Sequence, residues 1–219
     1  MVLWLGIYAP VLLVAILMQL LLPQHTAEVS TSITGLISTV PLWLRFLIVA
    51  VSPAICEEAV YRGFILHHLG VLPPWARVLL CGALFGVFHL DVTRFGSTAL
   101  LGVALSWAAV CTGNLFYPAL IHLCNNSVSV LATVALEMAA EAAPEAVATG
   151  AEAAAAVTPA TLGAYFLLCA PSPWLLWAGT ALLQTGAPRR PGRAKRACLC
   201  LVLTLALLAV GFALILSQG

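Results

Sequence analysis

The chain has 219 residues, 63% of them hydrophobic and 8% charged, with a formal net charge of +1. A soluble domain of this size would be about one quarter charged. The composition excludes a cytosolic globular enzyme, a disulfide-stapled secreted domain and, with no basic face, a nucleic-acid binder.

What remains is an all-α, polytopic transmembrane helical bundle read as a single membrane domain over 1–219. Apolar stretches of about 17–25 residues mark spanning helices, and about seven occur. The first runs from Val2 to Leu22 before Pro23; it has no basic leader and no small-residue cleavage site, so a retained helix is expected. The second covers Pro41 to Leu66, with a kink expected at Pro53. The third and fourth are short, Trp75 to Leu90 and Phe95 to Cys111, and the fifth runs from Asn114 to Leu136. The sixth, Thr161 to Leu183, should break at Pro171-Ser172-Pro173, and the last is Ala197 to Leu216. A catalytic core over about 41–136 is followed by an acidic, Ala-rich loop over 137–160 and a basic loop over 185–196. The acidic loop holds Glu137, Glu141, Glu145 and Glu152 without Lys or Arg, and reads as a low-complexity linker with some helical character. The seven cysteines read as small buried hydrophobes, and Cys198 and Cys200 lack the partner ligands of a metal site.

Charge orients the bundle. With Arg189, Arg190, Arg193, Lys195 and Arg196 in the cytoplasm, alternate crossings put Arg62 and Arg77 inside as well, leaving Arg45 and Arg94 outside. The amino terminus is then cytoplasmic. Compact loops and an Ala/Leu-rich style suggest a prokaryotic plasma membrane.

Ionisable residues inside spans are costly and mark function by default. Four groups qualify: Glu57-Glu58, Arg62, His89, and His122 with Asn126. Glu58 and Arg62 are four apart on one helix face, which suits an ion pair, while Glu57 points about 100° away. At 1.5 Å rise per residue, Glu57, His89 and His122 lie about 14, 21 and 12 Å from the cytoplasmic ends of their spans. Three helices thus offer polar groups at comparable depth. Gly82 and Gly86 form a small-x-x-x-small step that should draw the third helix close to a neighbour. Phe85 reads as packing. His25, His67 and His68 lie in loops or at interfaces, and the sequon at Asn125 is discounted because it falls in a span.

Glu57-Glu58-Ala59-Val60-Tyr61-Arg62, Phe85-Gly86-Val87-Phe88-His89 and His122-Leu123-Cys124-Asn125-Asn126 occur in that order. They resemble the three motifs of the CPBP intramembrane proteases, the family of the CAAX-prenyl endopeptidases and bacteriocin-immunity relatives. Gly63-Phe64 is similar to that family too, and the resemblance covers about Pro53 to Val130. It implies hydrolysis of a peptide bond by a glutamate-activated water. On these positions, Glu57 would be the general base and His89 would hold the water. His122 and Asn126 would stabilise the oxyanion, with Glu58 and Arg62 as the supporting pair. Burial raises a carboxylate toward useful basicity, and imidazole and carboxamide N–H groups suit an oxyanion.

Plainer readings stand beside these. Glu58 and Arg62 read equally as a structural ion pair, Glu57 as an interfacial acid, His89 as a packed histidine, and His122 with Asn126 as polar glue between helices. No cofactor is expected. The alternative is a Zn²⁺ centre of Glu57, His89 and His122, although the short-range zinc helix motif is absent. A non-catalytic immunity or scaffold protein is the rival from another class, and a transporter is disfavoured because no paired halves stand out. Expected partners are the lipid bilayer and a membrane-tethered peptide or protein. A prenylated tail, a sorting signal and a bacteriocin-like peptide all remain open as substrates, as does the oligomeric state.

Overall fold

The computed structural model describes residues 1–23, 25, 35, 39–145, 157–184 and 192–217. The chain is a helical bundle, and no strand occurs among the described residues. Helix α1 is Val2–Leu21, α3 Pro74–Phe88, α4 Val92–Thr112, α5 Phe116–Ala142, α6 Pro159–Leu183 and α7 Arg193–Leu216. Between α1 and α3, helix α2 occupies 42–71. Among the described residues, five helices (α1, α4, α5, α6 and α7) are long and apolar enough to cross a membrane, as an integral membrane protein requires. At 15 residues, α3 is short, about 22 Å by the rise of an α-helix.

Helix α2 is not a uniform α-helix. It is π-helical over Phe46–Val51 and again over Ala59–Ile65, and the α-helical segment Ser52–Glu58 between them carries both glutamates. Pro53, where a kink is expected, lies inside α2 at the second residue of that α-helical segment, directly after the π-helical stretch Phe46–Val51. The proline-rich break expected in the sixth span is present: α6 consists of Pro159–Cys169 and Ser172–Leu183, separated at Ala170-Pro171.

Helix α5 continues to Ala142 and so takes in the first residues of the acidic stretch, where Glu137 pairs with Arg45 at 2.6 Å. That pair brings the start of α2 and the end of α5 to one end of the bundle. Helix α7 starts at Arg193, so Arg193, Lys195 and Arg196 lie in its first turn, while Arg189, Arg190 and Glu152 fall outside the described residues. The cysteines divide as well. Cys81, Cys169 and Cys200 are buried, but Cys56 and Cys198 are exposed, because lipid solvates an outward apolar face as readily as a core does.

The centre of the bundle is built where α1, α4 and α5 meet, around Leu3, Ile7, Leu101, Leu105 and Ile121. A second cluster joins Tyr61 of α2, Cys81 and Phe85 of α3 and Ala109 of α4. Helices α3 and α4 pack closely through glycine. A Cβ added at Gly82 would lie 2.7 Å from the Val103 backbone nitrogen, and one at Gly86 would lie 2.9 Å from the Phe95 carbonyl oxygen. The small-residue step read from the sequence therefore sets that helix spacing.

Candidate active site

The two glutamates separate by environment. Glu58 is 1% exposed, while the Glu57 side chain keeps 23% of its surface. Glu58 Oε1 accepts from Arg62 Nη1 at 2.7 Å, the expected i, i+4 pair. Arg62 is itself buried. Its Nη2 donates to the Gly102 carbonyl at 2.9 Å and its Nε to Ser106 Oγ at 3.3 Å, so α4 satisfies what Glu58 does not. The Phe85 ring lies beneath the guanidinium, 4.6 Å from its carbon. This is a cation fixed by a carboxylate, a carbonyl, a hydroxyl and a ring face, which suits its burial.

The same carboxylate reaches a third helix. His122 Nδ1 donates to Glu58 Oε1 at 2.8 Å. Since that carboxylate already holds Arg62, it is an acceptor, and Nδ1 carries the imidazole proton. In the neutral ring Nε2 is then a lone pair. That atom stands 4.0 Å from Glu57 Oε2.

His89 ends α3. Its Nδ1 donates to the Phe85 carbonyl at 2.9 Å, because a carbonyl only accepts, so its Nε2 is likewise an acceptor when the ring is neutral. Phe85 packs edge-on against both imidazoles, with centroids at 5.1 Å from His89 and 5.7 Å from His122. Its role is packing, as expected, but it packs against three polar side chains of this region.

Asn126 has a partner that the spacing of its motif does not reveal. Its Nδ2 donates to the Val49 carbonyl at 2.9 Å, and its Oδ1 accepts from Asn125 Nδ2 at 3.3 Å. Pro53 has no N–H to donate within α2. The carboxamide gives the Val49 carbonyl a donor from α5 and so ties α5 to α2, leaving one N–H of Asn126 uncommitted.

Glu57, His89, His122 and Asn126 line one cavity of about 370 Å³, together with Arg94 and Ser129. The structure therefore brings the four side chains together from three helices and places Glu58 and Arg62 behind them. Arg94 was read only as an external charge. The turn from His89 to Asp91 is so short that the first turn of α4 lies beside the histidine; a basic residue five positions after His89 was the available signal. Among the described residues, no group of three or more His, Cys, Asp or Glu side chains is placed to hold a metal ion.

Asp91 caps α4. Its Oδ1 accepts from the Thr93 backbone N–H at 2.8 Å and from the Thr93 hydroxyl at 2.7 Å. Burial pushes this carboxyl upward, but the two Thr93 hydrogen bonds and the charge of Arg94 outweigh it and hold the pKa below the ordinary 3.8.

Residues 39–128 match the model of a family described as type II CAAX prenyl endopeptidase Rce1-like. That region contains all three motifs, and the resemblance to the CPBP/CAAX protease family is borne out over it. No curated protein and no solved structure matches the chain.

Proposed function

We propose that this protein is an intramembrane endopeptidase that hydrolyses a peptide bond of a membrane-associated substrate with a water activated by Glu57. The family match over 39–128 supports a CAAX-type protease in general. The single observation that carries the mechanism is the 4.0 Å approach of Glu57 Oε2 to His122 Nε2 in a cavity shared with His89 and Asn126.

In this mechanism Glu57 accepts a proton from water as the oxygen attacks the scissile carbonyl carbon. His89 Nε2, an acceptor by virtue of the Phe85 hydrogen bond, receives the second water O–H and aims the oxygen. The carbonyl becomes an oxyanion, which the uncommitted Asn126 N–H approaches. His122 joins as a donor only when Nε2 is protonated, and Glu58 at its Nδ1 stabilises that imidazolium. Collapse of the tetrahedral species breaks the C–N bond, and the proton held by Glu57 goes to the departing amine. Arg62 stays bonded to Glu58 Oε1 and holds that carboxylate in place behind the site.

The test is cleavage in proteoliposomes after exhaustive chelation, with Glu57→Ala as the control. Cleavage that survives chelation and vanishes in the variant supports a base-activated water. Cleavage that is lost on chelation and restored only by Zn²⁺ contradicts it, and a fully active Glu57→Ala protein removes the protease reading.

A further inference from the structure

A second cavity, of about 400 Å³, has Arg62 in its wall and shares no lining residue with the His122 pocket, and the mechanism does not use it. Arg62, His67, Arg77, Asn114 and Leu115 are among its lining residues, and no acidic side chain lines it among the described residues. The charge of Arg62 is already met by Glu58, so Arg77 sets the sign of the cleft. Arg77 lines the cleft as a half-buried donor, and its Nε has no hydrogen-bond partner. Asn114 adds another: its Oδ1 already accepts from the Phe116 backbone N–H at 2.8 Å, so its amide N–H₂ is what it can offer. A cleft that presents donors and one uncompensated cation selects an oxyanion.

The position narrows the ligand. The cleft is closed by the end of α2, the start of α3 and the turn from α4 into α5. Phe64, Trp75, Phe116 and Tyr117 stand exposed on those same elements. Exposed aromatic side chains at the ends of spanning helices mark the membrane–water interface, where lipid phosphates lie. The geometry points to a phospholipid site: the Arg77 guanidinium and the Asn114 amide bind the headgroup phosphate, and the exposed aromatics flank the acyl chains.

This assignment is independent of the protease reading and is tested without an activity assay. The protein is loaded from micelles containing phosphatidylglycerol, or diacylglycerol with the same chains, and retained lipid is counted by native mass spectrometry. One retained phosphatidylglycerol per chain is expected, with diacylglycerol retained at least tenfold less. Arg77→Gln should lower phospholipid retention at least tenfold, while Arg193→Gln leaves it unchanged. Asn114→Leu, which leaves the charge in place, should lower it severalfold and serves if Arg77→Gln does not fold. Undiminished retention in Arg77→Gln, or in Asn114→Leu where that variant stands in, overturns the site, as does equal retention of diacylglycerol. Displacement of the lipid by millimolar inorganic phosphate overturns the lipid assignment in favour of a free phosphate.

Discussion

Glu58 and His122, 64 positions apart in the chain, meet at 2.8 Å through a carboxylate oxygen that also holds Arg62. One buried acid therefore joins α2 to α5 and fixes which imidazole nitrogen carries the proton. Its neighbour Glu57 has no such commitment. Glu58→Gln should leave Arg62 as an uncompensated buried cation, at a cost of about 3–5 kcal/mol. Glu57→Gln should change stability by less than about 1 kcal/mol. Thermal unfolding of both variants in one detergent checks the contrast; equal losses would show that the two glutamates do not divide these roles.

Catalysis should follow the reverse division. With folding intact, Glu57→Gln should lower kcat by about 10²–10⁴, the range for loss of a general base. A single-turnover assay on reconstituted protein measures this directly.

Asn126 and Pro53 should be energetically coupled. Asn126→Ala deprives the Val49 carbonyl of its donor at a cost of about 1–3 kcal/mol. Pro53→Ala returns a backbone N–H at the position an α-helix would use, so the same Asn126→Ala change should cost less in that background. A double-mutant cycle of unfolding free energies reads the coupling, and a value near zero would detach Asn126 from the proline.

The three motifs made the meeting of Glu57, His89 and His122 legible before any coordinates, because i, i+4 spacing and span depth report which face and level a residue occupies. The glycine step at Gly82 and Gly86 was legible for the same reason. Partners across helices were not. Nothing in the spacing of His122 and Asn126 says that one nitrogen turns back to Glu58 and the other to Val49. Those contacts depend on the rotation of α2, which its two π-helical stretches alter and which no apolar period records. The place of Arg94 in the cavity is not legible either, because charge counting assigns a residue to a side of the membrane and not to a cavity.

The Gly82 contact gives a structural test. Gly82→Ala should destabilise the protein by about 1–3 kcal/mol through overpacking, since its Cβ meets the Val103 backbone, which cannot yield as a flexible side chain would. Unfolding measurements check this, and a neutral result would mean that α3 and α4 are free to separate.

Asp91 provides a pH dependence. Its carboxyl is held below 3.8 in the folded chain, so its contribution is fully present above the unfolded carboxylate value. It is lost as pH falls through the lower folded value. Asp91→Ala should cost about 1 kcal/mol at pH 7, the usual effect of losing an N-cap. Asp91→Asn should retain the cap and flatten this part of the acid dependence. Melting curves between pH 3 and 7 separate the two.

The most direct measurement is comparative terminal-peptide mass spectrometry of membranes containing wild-type protein or Glu57→Gln at equal abundance. New chain termini from a membrane-associated protein should appear with the wild type and disappear with the variant. Identical terminal peptides in both membranes would contradict the assignment of Glu57 as the base that activates water.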